Sequence, residues 1–290
     1  MAHDKKHIDD VSGTETTGHE WDGIKELNTP LPRWWLIVFY ACIIWAIGYW
    51  ILMPAWPTLH GYTHGLLNHS QRDEVTANVQ ALKDARAAKE HELTKASLQQ
   101  IQSNPDLLQF ALAEGKAAFG DNCAPCHGSG GQGAHGYPNL NDDVWLWGGK
   151  LEDIQHTITV GVRSTSPDTR QSQMPAFGRD AILKPEQIDD LTEYVVHLSG
   201  RPANAGAMQR GAKLFADNCA ACHGAHGKGD RAFGAPNLTD NDWLYGPTRD
   251  DIHDQIWNGH GGVMPTWGGR LSPETIKSLA VYVHSLGGGE

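Results

Sequence analysis

The feature that most restricts the fold of this 290-residue chain is an eight-residue pattern that occurs twice. The letters DNCAPCHG at 121–128 return as DNCAACHG at 217–224. In a helical turn, side chains three and four residues apart share one face, so the two cysteines and the histidine of each pattern point the same way. Any fold for this chain must therefore provide two separate pockets of the same kind.

A Cys-x-x-Cys-His motif is typical of c-type haem attachment, in which both thiols bond to the porphyrin edge and the histidine binds the iron. A redox dithiol and half of a zinc site are the alternatives. A dithiol does not need the histidine, and neither copy offers zinc a second ligand pair at a regular spacing. We therefore predict two covalently bound c-type haems, held by Cys123, Cys126 and His127 in the first copy and by Cys219, Cys222 and His223 in the second.

The sequence around the two motifs repeats as well. GKAAFGDNCAPCHG at 115–128 matches GAKLFADNCAACHG at 211–224, and a longer match joins 183–200 to 271–288. Each copy is predicted to have one helix before its motif and another at its end, the latter starting with a first-turn proline. Gly115 and Gly211 should let the first helix approach the last one closely. The repeat predicts two domains, at 111–200 and 201–290.

Two of the five methionines stand at equivalent places in the repeat. Met174 lies in QMPAFG and Met264 in VMPTWG, which places them 47 and 41 residues after the histidines of their copies. We predict that both are axial ligands of haem iron. The sequence does not decide whether each serves its own copy or the other, and it leaves open a bis-histidine iron in which His135 or His156 replaces a methionine.

A methionine ligand favours ferrous iron and raises the reduction potential relative to a second imidazole. It also fills the position that oxygen or peroxide would need, so these haems are predicted to transfer electrons rather than to catalyse a reaction. The backbone carbonyls of Pro138 and Pro236 are candidate acceptors for the ligand histidines, by analogy with mono-haem cytochromes. Arg163 has no counterpart in the second copy, and it is either a haem-propionate contact or a surface arginine.

Residues 34–53 form an uncharged run, WWLIVFYACIIWAIGYWILM. At 1.5 Å per residue such a helix spans about 30 Å, the thickness of the hydrocarbon layer. A cleaved signal peptide would be shorter and closer to the N-terminus, whereas a polar, acidic stretch comes first here. We predict a retained anchor at 34–56. The fifth cysteine, Cys42, lies within the run and is expected to be an inert packing residue.

The flanks of the anchor complete the predicted organisation. Lys25 and Arg33 precede the anchor closely and only Arg72 follows it nearby, which favours a cytoplasmic N-terminal segment at 1–33. Covalent haem attachment in bacteria takes place outside the cytoplasmic membrane, so everything after Met53 is predicted to be periplasmic. Residues 57–110 are interpreted as a linker that contains a solvated helix at 71–103, because the helix-forming composition of that stretch lacks a continuous apolar stripe and ends at Asn104-Pro105.

The net charge of −11 argues against a nucleic-acid partner. Residues 111–200 carry twelve acidic and six basic side chains, so the acidity is concentrated in the first copy. This surface either keeps the domain soluble or steers a basic redox partner towards it.

With these parts in order, the chain resembles the di-haem subunit, of CcoP or FixP type, of cbb3-type cytochrome c oxidase. Beyond the two haem motifs, the resemblance is carried by DGIKELNTPLPRWW at 22–35 and GYTHGLLNHSQRDEV at 61–75. It implies a mostly α fold with one N-terminal transmembrane helix, a connecting helix and two tandem class I cytochrome c-like domains. The implied location is the bacterial inner (cytoplasmic) membrane, which the chain crosses once.

The resemblance also implies a function. The subunit would pass electrons from a soluble or membrane c-type cytochrome donor to the catalytic haem–copper subunit, in a complex that also contains a mono-haem cytochrome subunit. That complex reduces oxygen to water and forms a proton gradient. The alternatives are a free-standing anchored di-haem carrier, a di-haem peroxidase and a haem-based sensor.

Overall fold

The computed structural model describes residues 7–290, so the first six residues of the predicted cytoplasmic segment lie outside the described residues. The chain divides into two compact units, one ending at Lys83 and the other running from Asp84 to Glu290. Within residues 7–290 the fold is mostly helical, as predicted.

The first unit begins with an antiparallel hairpin of two strands, β1 at Thr16–Trp21 and β2 at Ile24–Leu27. Asp22 and Gly23 connect the strands and both have positive φ values, of 52° and 82°. An Asp-Gly pair in this conformation is the preferred two-residue turn of a hairpin, because its twist matches that of the strands.

The predicted anchor is helix α1, which spans Arg33–Leu52. None of its residues is buried within the protein, and it is long and apolar enough to cross a membrane. A small hairpin follows, with β3 at Pro57–Thr58 and β4 at Gly61–Tyr62. The chain then returns to the helix end, where the amides of Leu66 and Leu67 donate to the carbonyls of Ile51 and Leu52 at 2.9 and 3.0 Å. These bonds satisfy carbonyls that every helix leaves free at its C-terminus.

The prediction of a single solvated helix in the linker is wrong for the second half of that helix. Helix α2 spans Gln71–Lys95 and a separate helix, α3, spans Leu98–Ser103. The break falls at Ser97, whose hydroxyl accepts from the Gln100 amide while the Gln100 side chain accepts from the Ser97 amide. Such a capping box starts a new helix. The apolar side chains on both sides of this break are not solvated, because a buried cluster contains Leu93, Leu98, Ile101, Leu107, Ala111, Leu151 and Val281.

The repeated part of the chain supplies the remaining helices. They are α4 at Pro105–Asn122, α5 at Ala124–His127, α6 at Leu151–Val160, α7 at Pro185–Leu198, α8 at Ala205–Asn218, α9 at Ala220–His223, α10 at Arg249–Asn258 and α11 at Pro273–His284. Helix α4 thus begins within the segment that the sequence assigned to the linker. The prolines that start α7 and α11 occupy the first turn, as predicted.

The first helix of each copy packs against the last helix of the other copy. Helix α4 pairs with α11, and α7 pairs with α8. A Cβ atom at Gly115 would lie 2.3 Å from the carbonyl oxygen of Ser278, and one at Gly211 would lie 2.1 Å from that of Asp190. The predicted close approach of first and last helices is confirmed, but it joins different copies.

The buried clusters also combine side chains from both copies. One cluster combines Phe119, Ile154 and Ile158 of the first copy with the following residues of the second: Ile276, Leu279, Ala280 and Val283. The other combines Phe177, Ile188, Leu191, Val195 and Val196 of the first copy with Phe215, Ile252 and Ile256 of the second. Burying one such side chain contributes about 1.5–3 kcal/mol, so each core depends on both copies. The limits 111–200 and 201–290 describe the sequence repeat and stay a prediction as domain boundaries.

Candidate haem-binding sites

Each Cys-x-x-Cys-His motif occupies a single helical turn. In the first, the amides of Cys126 and His127 both donate to the carbonyl of Cys123, at 3.1 and 2.9 Å. In the second, the amides of Cys222 and His223 donate to Cys219 at the same two distances. The one-turn geometry predicted from the spacing is confirmed, and it places the three side chains of each motif on one side of the backbone.

The first cysteine of each motif is the more buried one, and among residues 7–290 every cysteine is a free thiol. Burial raises the pKa of the Cys123 thiol to about 11, and the neighbouring Cys126 adds to the shift. The pKa of Cys219 is raised to about 11 for the same two reasons, with Cys222 as the neighbour. Both motifs therefore offer unpaired thiols, as covalent attachment to a porphyrin requires.

The two histidines are oriented by backbone carbonyls, as predicted. Nδ1 of His127 lies 3.0 Å from the Pro138 oxygen, and Nδ1 of His223 lies 3.1 Å from the Pro236 oxygen. Because a carbonyl only accepts, Nδ1 carries the proton and Nε2 keeps a free lone pair for a metal. Burial lowers the pKa of both imidazoles, and the carbonyl contacts oppose this effect more weakly. Both rings are thus poised as neutral ligands.

The methionines lie with the motif of the opposite copy. Met174 and Cys219 pack against the same buried cluster, which includes Phe215. Met264 and Cys123 pack against the other cluster, which includes Phe119. The sequence left this pairing open, and the exchange of helices decides which side chains come together.

A cavity of about 570 Å³ occupies the second site. Cys219, Cys222, His223 and Met174 all line it, so the second motif and the methionine of the first copy surround a single space. Its volume is in the range of small-molecule and cofactor pockets. The residues present fit a c-type haem: two thiols and an imidazole on one turn, a thioether on an exchanged segment and an apolar wall.

Glycines at the ends of α6 and α10 position the methionine segments. Gly161 has a φ of 72°, and a Cβ atom there would lie 2.5 Å from the carbonyl oxygen of Met264. Gly259 has a φ of 62° and stands in the same relation to Met174, again at 2.5 Å. Val162 and Met264 exchange two backbone hydrogen bonds of 3.0 Å each. Each methionine backbone therefore rests on a helix end that only glycine allows.

The sequence analysis missed Gln255, which distinguishes the two sites. Its Nε2 atom donates to Met174 Sδ at 4.0 Å and to the His260 carbonyl at 3.2 Å. Its Oε1 atom is buried and has no hydrogen-bond partner in the part of the chain that the structure describes. Aligning the glycines at 161 and 259 places Thr157 at the matching position of the first copy. The Thr157 hydroxyl accepts from Arg170 Nε at 2.8 Å and donates to the Asp153 carbonyl. Aligning the two copies in this way would have revealed from the sequence that the two sites differ at this position.

Of the remaining residues that the sequence singled out, His135 lines the cavity of the second site and Cys42 belongs to the anchor helix. Cys42 is exposed on α1, so the described residues do not bury it. The Nε2 atom of His135 lies 3.0 Å from the Tyr245 carbonyl, which engages the ring nitrogen that a bis-histidine iron could use.

Comparison with known families gives matches along most of the chain. The model for the N-terminal domain of FixP, from cbb3-type cytochrome oxidase, matches residues 13–60. The cytochrome c model matches residues 112–199, and the model for subunit III of cbb3-type cytochrome c oxidase matches residues 206–283. The matches thus cover the anchor region and both copies of the repeat.

Curated relatives match over nearly their full length. The chain is 57% identical to the cbb3-type cytochrome c oxidase subunit FixP of a Bradyrhizobium species over 288 residues, 99% of both chains. It is 54% identical to FixP of Azorhizobium caulinodans over 292 residues, which cover 100% of this chain and 99% of the relative. It is 51% identical to subunit CcoP of Azospirillum brasilense over 296 residues, 99% of both chains.

Proposed function

Because the chain belongs to the family of cbb3-type cytochrome c oxidase subunits represented by FixP and CcoP, we propose that it carries two haems. It passes electrons through them towards a catalytic subunit and does not reduce oxygen itself. The observation that carries this proposal is the cavity that Cys219, Cys222, His223 and Met174 line together.

The eight predicted residues divide between the two haems according to the exchanged fold. Cys123 and Cys126 would hold the first haem by its edge, and His127 and Met264 would bind its iron. Cys219 and Cys222 would hold the second haem, and His223 and Met174 would bind its iron. This division is supported by the two buried clusters, each of which combines a motif from one copy with a methionine from the other.

The residues around each site favour electron transfer over oxygen chemistry. A bound haem with histidine and methionine ligands supplies one-electron exchange. Met174 and Met264 would bind the irons opposite the histidines, and the buried clusters beside them would exclude water. The backbone carbonyls of Pro138 and Pro236 hold the histidine rings in one orientation, so little has to move when an electron arrives.

The topology and partners follow from the family and the anchor. Helix α1 crosses the bacterial inner membrane once, with the N-terminus in the cytoplasm and both haem sites in the periplasm. The partners are a catalytic haem–copper subunit, a mono-haem cytochrome subunit and a c-type cytochrome donor. Lys25 and Arg33 before the helix support this orientation, as does the attachment of c-type haem outside the cytoplasm.

The decisive experiment is purification of the tagged chain from membranes in mild detergent, followed by haem, copper and oxygen-consumption assays. We expect two c-type haems per chain, together with b-type haem, copper and cyanide-sensitive oxygen reduction from the partners. A double variant, Cys219→Ala with Cys222→Ala, should lose one c-type haem per chain. Two c-type haems without b-type haem or copper, over several gentle extractions, would instead establish a free-standing carrier.

A further inference from the structure

Each methionine reaches the site of the opposite copy through a segment of backbone, and the two segments contact each other between the sites. The first crossing segment, residues 161–174, runs from the end of α6 to Met174. The second crossing segment, residues 259–264, runs from the end of α10 to Met264. The two segments are joined by the backbone hydrogen bonds between Val162 and Met264.

The side chain of Arg163 contacts both crossing segments. Its Nε atom donates to the Gly262 carbonyl at 2.6 Å, and its Nη1 atom donates to the Ser172 carbonyl at 2.7 Å. Each accepting carbonyl lies two residues before a methionine. A guanidinium is planar and its donors have a fixed spacing, so bonds from one guanidinium to two carbonyls fix the distance between those carbonyls.

The backbone of Arg163 is also unusual. Its φ value is +49°, in the left-handed region that non-glycine residues seldom adopt. The amide of Arg163 donates to the Arg170 carbonyl at 2.9 Å, which closes the loop between them. Gly161, two residues earlier, also has a positive φ, so the backbone enters the left-handed region twice where the crossing segments meet.

The second copy has a glycine where the first has this arginine. Aligning Gly161 with Gly259 pairs Arg163 with Gly261. A Cβ atom at Gly261 would lie 3.3 Å from Nε of Arg163, closer than an ordinary contact. The meeting point of the two segments thus holds one long side chain, and the repeat departs from its own pattern there.

We propose that Arg163 is a positioning residue that ties the two crossing segments together and so holds both methionines at their irons. This inference rests on the exchanged ligation proposed above and adds a residue that acts on both sites at once. It differs from the two roles that the sequence left open for Arg163. A propionate contact would act on one haem, and a surface arginine would act on neither.

The test uses the intact oxidase complex with Arg163→Gln, and Arg179→Gln as the matched control. Arg179 lies in the same copy, but its side chain is 61% exposed and, among residues 7–290, pairs only with the adjacent Asp180. The measurements are the far-red charge-transfer band of methionine-ligated ferric haem and the binding of carbon monoxide to the reduced c-type haems. We expect the variant to lose the part of the band that this chain's two haems contribute and to gain carbon monoxide binding at both of them, while the control matches the wild type.

A change at only one c-type haem, or at neither, would overturn the proposal. If Arg163→Gln lowers the yield of complex, Gly261→Val provides a second test, because its side chain would displace the guanidinium from the opposite side. This variant should affect both haems as well. An effect on one haem or on neither again counts against the proposed role of Arg163. Wild-type complex without the far-red band would instead contradict the methionine ligation, so the two failures are distinguishable.

Discussion

Gly211 of α8 lies directly against the backbone of Asp190 of α7, where a Cβ atom at position 211 would come within 2.1 Å of the Asp190 carbonyl oxygen. Gly115 of α4 stands in the same relation to Ser278 of α11. Both pairs join helices from different copies of the repeat. These close helix contacts therefore also bring together the parts of each site that come from different copies.

A methyl group at this contact should separate the helices. Gly115→Ala is expected to destabilise the haem-containing unit by about 1–3 kcal/mol, the cost of overpacking. Gly120→Ala is the control, because it lies on the same helix and a Cβ atom there meets nothing within 4 Å. The control should gain about 0.5–1 kcal/mol, because alanine favours a helix over glycine. Thermal unfolding of the two variants measures the difference, and equal stabilities would contradict the backbone contact.

The exchange of methionine ligands can be tested one haem at a time. In a chain with only the second haem, made by Cys123→Ala and Cys126→Ala, Met174→His should lower the midpoint potential of that haem. The reason is that an imidazole favours ferric iron more than a thioether does. Met264→His in the same background should leave the potential unchanged. If each methionine served its own copy, the two results would be reversed.

Gln255 should raise the potential of the second haem relative to that of the first. An N–H donor near the Met174 sulfur places positive charge close to the iron and so disfavours its ferric state. Gln255→Leu is therefore expected to lower one of the two midpoint potentials in a redox titration. It should do so without a large loss of stability, since it also removes the buried Oε1 atom that has no partner.

The control for this substitution is Thr157→Val, at the matching position of the first copy. It leaves the second site intact, so the potential of the second haem should equal the wild-type value. A fall of both potentials with Gln255→Leu would point to a general disturbance of the fold rather than to a local hydrogen bond.

Local patterns predicted the parts of the structure that are decided by residues close in sequence. The one-turn motifs, the apolar helix α1 and the proline-started helices α7 and α11 belong to this class, because each depends on a few neighbouring residues. The acceptors at Pro138 and Pro236 were predicted by analogy and are confirmed.

The exchange between copies lay beyond such patterns. Both copies place a glycine and a phenylalanine on the first helix and a tyrosine on the last one. Pairing within a copy and pairing between copies therefore bring the same residue types into contact, as Phe119 with Tyr282 and Phe215 with Tyr194 illustrate. Choosing between them depends on the length and path of the crossing segments, which composition does not encode.

The error in the linker has a different cause. Residues 71–103 have a helical composition throughout, and the break at Ser97 depends on two reciprocal hydrogen bonds with Gln100. Leu93, Leu98 and Ile101 are too few to form an apolar stripe on one continuous helix. They become buried together because the chain changes direction at the break.

Removing the C-terminal end of the chain should damage the site at the N-terminal motif. A chain that stops after residue 262 lacks Met264 and α11, which belong to the site of Cys123. We expect its second haem to keep the far-red methionine band and its first haem to lose it, each measured in a background with one motif disabled. Loss at the second haem alone is the outcome that independent tandem domains would give.

The exchanged helices also reverse the order in which the sites are finished as the chain is made. Translation proceeds from the N-terminus, so the motif at Cys123 emerges well before the one at Cys219. The later motif nevertheless finds its partners α7 and Met174 already present, and its site is complete once α10 has emerged. The earlier motif waits for α11, the last helix among the described residues. The haem pocket that is begun first is therefore closed last.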